Sequence, residues 1–224
     1  MSDWFIALAG YLAGSIPSAY LFARAFSGRD VRYEGNRNVG TRNAARLGGR
    51  RAGLLTALAD MLKGAAVWFL CWRWGSGALS YWVGGVTLML GHAFPVWLGF
   101  RGGKGLGAAG GFFLPMFPLS MLAAAALTAV LYAGRATIRL LNVLGPLAFL
   151  AATYFEGKSL SRTSLVLALG AMAGAKSVLD LALLRRQGRL SGWAERPRDG
   201  PVWRAQREAE PMEKDTATGN YPPS

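Results

Sequence analysis

Residues 28–51 read GRDVRYEGNRNVGTRNAARLGGRR and residues 100–105 read FRGGKG, and apolar stretches surround both. Gly14-Ser15-Ile16-Pro17 precedes the first piece, and Gly91-His92-Ala93-Phe94 precedes the second. Glycine lets a backbone approach an anion and turn its N–H groups toward it, while Arg and Lys supply charge and Asn supplies neutral donors. Eight arginines fall between Arg24 and Arg51, against only Asp30 and Glu34. The two pieces are predicted on the same side of a membrane. A cationic surface at such a boundary suits a ligand with an apolar tail and a phosphate head.

The chain of 224 residues is 52% hydrophobic and 17% charged, with apolar tracts recurring through its first 184 positions. That pattern far exceeds the single short apolar segment of a signal peptide, and Asp3 leaves no basic leader before the first tract. The expected class is a polytopic, all-α integral membrane protein. The net charge of +13 could suggest nucleic acid, but the basic residues cluster in alternate loops, as cytoplasmic loops do. No nucleic-acid partner is therefore expected. Cys71 is the only cysteine and His92 the only histidine, so neither an intrachain disulfide nor a zinc site is expected.

Hydropathy predicts spans over residues 3–26, interrupted by Gly14 and Pro17, then 52–74 and 81–100. Trp68, Phe69, Trp72 and Trp74 end the second span as an interfacial aromatic belt, and the uncharged loop 75–80 should lie outside. Residues 106–133 exceed the roughly 20 that one span needs and contain Pro115 and Pro118. They read as two short helices, 106–117 and 119–133, or as one kinked helix. With two, 140–155 crosses outward, 156–162 is external and 163–184 crosses back. This arrangement of seven transmembrane helices, N-terminus outside and C-terminus cytoplasmic, gathers the arginines of 29–51, 101–104 and 135–139 with Arg185, Arg186 and Arg189 on one side. It leaves Lys158 and Arg162 in the external loops. Residues 1–190 form the membrane domain, and 191–224 are expected to be a disordered cytoplasmic tail.

Asn36, Asn38, Gly40 and Asn43, with Arg32 and Arg46, form a dense set of donors. A solvated positive-inside loop explains the arginines but not the alternating Asn and Gly, so the segment reads as an anion site. Gly102-Gly103-Lys104-Gly105 offers backbone N–H groups and one ammonium at the start of a helix, a phosphate site in miniature. His92 is either a packing residue or part of that site; its nearness to Lys104 and the cost of an ionisable group in a bilayer favour the site. Asp60 and Lys63, three apart on one helix face, either neutralise each other or serve a ligand. Ser15 and Ser18 flank Pro17, where freed carbonyls need partners, and either repair the helix or reach a ligand. Lys176 either faces the arginine-lined cavity or pairs only with Asp180, four residues on.

At these residues the chain resembles the bacterial acyl-phosphate:glycerol-3-phosphate acyltransferases of the PlsY type. That family's first motif runs S-x-P, then G-x-D-x-R-x-x-G-S-G-N-x-G-x-x-N-x-x-R-x-x-G, then D-x-x-K-G. Ser15, Pro17, Gly28, Asp30, Arg32, Gly35, Asn38, Gly40, Asn43, Arg46, Gly49, Asp60, Lys63 and Gly64 match in order. The second motif, G-H-x-F followed by F-K-G-G-K-G, is met by Gly91, His92, Phe94, Phe100, Gly102, Gly103, Lys104 and Gly105, with Arg101 for a lysine. Three departures stand out. The family's Ser-Gly before the first asparagine is Asn36-Arg37 here, a serine before the sixth span becomes Asn142, and the family's closing His-, Asn- and Arg-bearing motif is replaced by Lys176-Ser177-Val178-Leu179-Asp180.

The resemblance implies seven spans with the N-terminus outside. It also implies acyl transfer from acyl phosphate to glycerol 3-phosphate, giving 1-acylglycerol 3-phosphate (lysophosphatidic acid) at the cytoplasmic face of a bacterial inner membrane. Arg46, Lys104, His92 and Asn43 are then the candidate catalytic residues. Ser15, Arg32, Asn38, Gly40, Gly102, Gly103, Gly105, Asn142 and Lys176 are the candidate substrate contacts, with membrane lipids as surroundings. An acyl phosphate is an activated mixed anhydride, so no enzyme nucleophile, metal or cofactor is required. No side chain is a convincing general base, and His92 reads as a donor or orienter. A second reading is a diverged, non-catalytic relative that binds anionic lipid head groups or an acyl-phosphate-like ligand.

Overall fold

The computed structural model describes residues 3–133, 138–156 and 160–186, and every regular element among them is a helix. The first predicted span is two helices, α1 (Asp3–Ser15) and α2 (Ser18–Ser27). Pro17 causes the break, because it disfavours helical geometry at Ile16 and has no N–H to donate. Gly28 ends α2 in the left-handed region (φ 67°), its N–H donating to Arg24 O. Helix α3 (Thr41–Trp74) starts well before the predicted residue 52 and is kinked at Gly49, whose φ of 80° no ordinary helical residue adopts. The basic loop thus passes directly into a membrane helix.

Helix α4 (Ala78–Ala93) is shorter than the predicted 81–100 span. Pro95 stops it one residue early by restricting Phe94, and a 3-10 turn follows at Val96–Leu98. Residues 106–133 form two helices, α5 (Leu106–Phe113) and α6 (Pro118–Ala133), separated by the proline-bearing turn 114–117. Helix α5 is only about 12 Å long, far short of a ~30 Å hydrocarbon layer. It is shielded by protein, with Ala108 and Phe112 fully buried. Helices α7 (Ile138–Phe155) and α8 (Leu160–Arg186) complete the set. Arg135, Lys158, Arg189 and the predicted tail 191–224 lie outside the described residues, as does the side chain of Arg139.

Among the described residues, three stretches are long and apolar enough to cross a membrane: Asp3–Ser27, Thr41–Trp74 and Ser161–Leu183. Their outward flanks are greasy; Leu8, Leu62 and Leu167 are 60%, 69% and 55% exposed, a surface suited to lipid and not to water. The main core joins α1, α3, α4, α5, α7 and α8 through Ile6, Val67, Leu88, Phe112, Phe149 and Leu169. Lipid tails are as apolar as these side chains, so close backbone packing must contribute. A methyl group on Gly14 would lie 2.2 Å from Leu88 O, and one on Gly64 would lie 2.0 Å from Ala108 O. A smaller cluster of Ala19, Ala23, Val31, Val39, Ala44 and Leu47 pins the basic loop to α2 and the start of α3. At the far end of α3, Trp68 and Trp72 stack at 6.0 Å.

Candidate active site

The broken first span creates the site. Pro17 cannot bond back into α1, so carbonyls near the break need donors from elsewhere. Lys63 supplies them: its ammonium donates to Gly14 O at 3.3 Å and Ile16 O at 3.1 Å. It also lies 2.9 Å from Asp60 Oδ1, and both side chains are about 95% buried. The Asp60 carboxylate thus balances the buried ammonium charge. Ser15 and Ser18 do not repair the break. Their hydroxyls are buried and unpartnered beside it.

The loop 28–40 is organised by Asn43, which is fully buried. Its Nδ2 donates to Val31 O at 2.9 Å and Glu34 O at 3.0 Å, and its Oδ1 accepts from Asn36 N at 3.0 Å. With its amide committed this way, Asn43 shapes the loop from below. Arg32 is held by Asp30 through Nε to Oδ1 at 3.0 Å and Nη2 to Oδ2 at 2.7 Å, and it lies over the Tyr20 and Tyr33 rings. Burial raises the Asp30 pKa, but the hydrogen bonds and charge of Arg32, with the charge of Arg24, outweigh it and hold the carboxyl below its ordinary value. The pair stabilises the loop above the ordinary carboxylate range and loses that contribution as pH falls through the lowered value. Asn38 keeps a buried, unpartnered Oδ1, and Gly40 begins α3 in extended geometry. Arg37 sits in the left-handed region (φ 57°), the conformation that glycine adopts readily, where the resembling family carries glycine. Arg46 is exposed on α3, away from the residues lining the cavity at the break.

The second motif folds back onto the end of α4. Gly102 N donates to Ala93 O and Gly103 N to His92 O, both at 3.1 Å. At Gly103 the two motifs meet: a methyl group there would lie 2.1 Å from Val39 O and 2.6 Å from His92 Nε2. Only a residue without a side chain fits between them. Gly105 then opens α5 with φ 78°. Lys104, half-buried at that helix start, has no hydrogen bond or ion pair among the described residues. Lys176 arrives from α8, donates to Gly102 O at 3.4 Å, lies over the Phe94 ring and pairs with Asp180. It pairs with Asp180 but not with Asp180 alone, because it also reaches the Gly-rich turn. The side chains of Asn142 and Arg185 lie outside the described residues.

Ser15, Ser18, Asp60, His92, Val39 and Pro95 all line one small cavity at the α1–α2 break. Ser15, His92, Gly102, Gly103, Gly105 and Lys176 are thus gathered, with Asn38, Gly40 and Lys104 on the adjoining loop ends. Arg32 is tied to its own loop. The sequence reading missed Lys63 as the clamp on the break. The available signal was a lysine in an apolar span facing a proline-broken helix, but only tertiary structure says which carbonyls it meets.

A family model described as glycerol-3-phosphate acyltransferase matches residues 4–184. The chain is similar to the glycerol-3-phosphate acyltransferase of Anaeromyxobacter sp. (strain Fw109-5), 43% identical over 141 residues, which are 59% of this chain and 69% of that protein. It is likewise similar to that of Trichlorobacter lovleyi, 43% identical over 124 residues, 55% of this chain and 63% of that protein. These matches therefore span about two thirds of the relatives' length. The fold is similar to a crystal structure of PlsY, an integral membrane glycerol 3-phosphate acyltransferase, in its glycerol 3-phosphate form, with a TM-score of 0.73 and 24% identity over 92% of this chain and 99% of that one. The lysophosphatidic acid form of PlsY aligns with a TM-score of 0.70 and 23% identity, over 84% of this chain and 94% of that one.

Replacing Asn43 by Ala strands Val31 O, Glu34 O and Asn36 N, each a loss of about 1–3 kcal/mol where the group stays dry. Hydrogen exchange of the 31–38 amides should accelerate by about tenfold or more in Asn43→Ala and stay unchanged in Arg46→Ala. Identical exchange in the two variants would show that Asn43 does not hold the loop.

Proposed function

This chain belongs to the glycerol-3-phosphate acyltransferase family, and we propose that it transfers a fatty acyl group from an acyl phosphate to glycerol 3-phosphate. The acceptor hydroxyl oxygen bonds to the acyl carbon, the bond from that carbon to the phosphate oxygen breaks, and phosphate leaves with the hydroxyl proton. The product is lysophosphatidic acid. One observation carries the reading: at Gly103 the Gly-rich turn touches both Val39 of the basic loop and His92, so two anion-binding elements share one wall.

Such a wall suits a reaction with two phosphates, because the work is to hold both and to stabilise the oxyanion and the departing phosphate. The N–H groups at the start of α5 and the Lys104 ammonium suit one phosphate. Arg46 and Asn38, on the basic loop and its helix, suit the other, with Asn43 keeping that loop in shape. Arg32 and Gly40 support the same loop. Lys176 stands against Gly102 of the Gly-rich turn, and the resemblance adds Asn142 as a further substrate contact. Ser15 and His92 line the small cavity at the α1–α2 break beside these elements.

Purified protein given an acyl phosphate and glycerol 3-phosphate should form lysophosphatidic acid and release phosphate. Lys104→Ala and Lys176→Met should each lower turnover at least about tenfold, the loss of one charge-assisted contact, with normal folding. Retained binding of anionic lipid without any product from the wild-type protein would favour the non-catalytic reading instead.

The arginine bias further supports an N-terminus outside, a cytoplasmic C-terminus and a site facing the cytoplasm of a bacterial inner membrane. In intact cells a Ser76→Cys thiol should react with an impermeant reagent, whereas Arg50→Cys should need permeabilisation. Cys71 is 2% exposed and should stay silent. The reverse labelling pattern would overturn this orientation.

A further inference from the structure

The cavity at the α1–α2 break has a volume of about 10 Å³ for a water-sized sphere, close to the minimum that holds one water molecule. Ser15 Oγ, Ser18 Oγ and His92 Nδ1 are each buried without a hydrogen-bond partner, and these residues line it together with Asp60, whose carboxylate is paired with Lys63 and keeps further acceptor capacity. Buried polar atoms are nearly always satisfied, and a water needs two to four such partners. We propose that one water molecule in this cavity links His92 Nδ1 to Asp60 and thereby fixes the imidazole tautomer, leaving His92 Nε2 as an acceptor for the hydroxyl of the acyl acceptor. The last step rests on the acyltransferase reading above; the tautomer does not.

The direction of the link follows from the charges on either side. Lys63 directs its ammonium at Gly14 O, Ile16 O and Asp60, so its donors are committed away from the ring. The Asp60 carboxylate is an acceptor only, and the water donates to it while accepting from Nδ1–H. On the other side of the ring, Nε2 lies beside Gly103. There Lys176 donates to Gly102 O, and a cation on that side disfavours a proton on the nearby nitrogen. The two hydroxyls complete the water's shell. Asp60 is then a positioning residue acting through His92, which is a different task from holding the helix break, where Lys63 acts directly.

His92 is the only histidine in the chain, so ring-15N labelling gives one pair of nitrogen signals to read. In the resting protein near neutral pH, Nδ1 should carry the proton and Nε2 should be proton-free. A proton on Nε2, or rapid averaging between the two, overturns the proposal whether or not the protein is active. Asp60→Asn should shift the ring toward mixed tautomers and lower kcat by roughly tenfold to a hundredfold with little change in KM, because Lys63 keeps its bonds to Gly14 and Ile16. A wild-type ring spectrum in that variant also overturns it. Adding glycerol 3-phosphate should move the Nε2 signal and leave Nδ1 in place. Movement of Nδ1 alone would put a substrate hydroxyl in the cavity in place of the water, and would defeat the assignment.

Discussion

An ammonium buried in an apolar helix must be surrounded by oxygen, and Lys63 meets that demand where a neighbouring helix has been opened by proline. Pro17 frees the carbonyls near the break, and Lys63 donates to those of Gly14 and Ile16. Each defect answers the other. A buried charge left unpaired costs several kcal/mol, roughly 3–5 when one partner is removed, so the lysine is stable in its apolar helix only where the break and Asp60 supply oxygen. Asp60 balances the charge, and the Ser15 and Ser18 hydroxyls are left facing a small polar space that His92 closes. The site is thus carved from the first span, beneath the loops that carry its more conspicuous residues.

The loops meet above that space because glycine permits contact that side chains would forbid. At Gly103 a methyl group would fall within 2.1 Å of Val39 O, so even alanine would push the Gly-rich turn off the basic loop. The turn is tethered by its own backbone hydrogen bonds to the end of α4, and the basic loop by Asn43 and the small cluster around Val31 and Ala44. Both anchors are rigid. The cations beside this contact lie on different elements, Lys104 on the turn and Lys176 on α8.

Much of this was legible in the sequence. Helices lie at all seven predicted positions, Pro17 broke the first, and the two prolines divided 106–133 into two helices as their chemistry requires. Helix α4 ended at Ala93, not at residue 100, because hydropathy continues past Pro95 while backbone geometry does not. The site's members were legible as residue types but not as roles. Asn43 read as a substrate donor, and its amide is spent on carbonyls up to twelve residues away. Lys63 read as a partner for Asp60, and its main task lies in α1, some 49 residues distant. Lys176 read as facing an arginine-lined cavity or pairing with Asp180 alone, and it pairs with Asp180 while also donating to Gly102 O. Periodicity and motif spacing report which face a residue occupies; they do not report which distant backbone atoms need a donor.

The central claim is that the Gly-rich turn and Lys104 hold a substrate phosphate against the wall shared with His92. The most direct test is a 31P–15N distance measurement by solid-state magnetic resonance on labelled protein in lipid with bound glycerol 3-phosphate or a non-reactive acyl phosphate. The account predicts that at least one phosphorus lies within about 4 Å of both the Gly103 amide and the Lys104 ammonium, as hydrogen bonding requires. Bound ligand whose phosphorus shows no coupling to either nitrogen would contradict it.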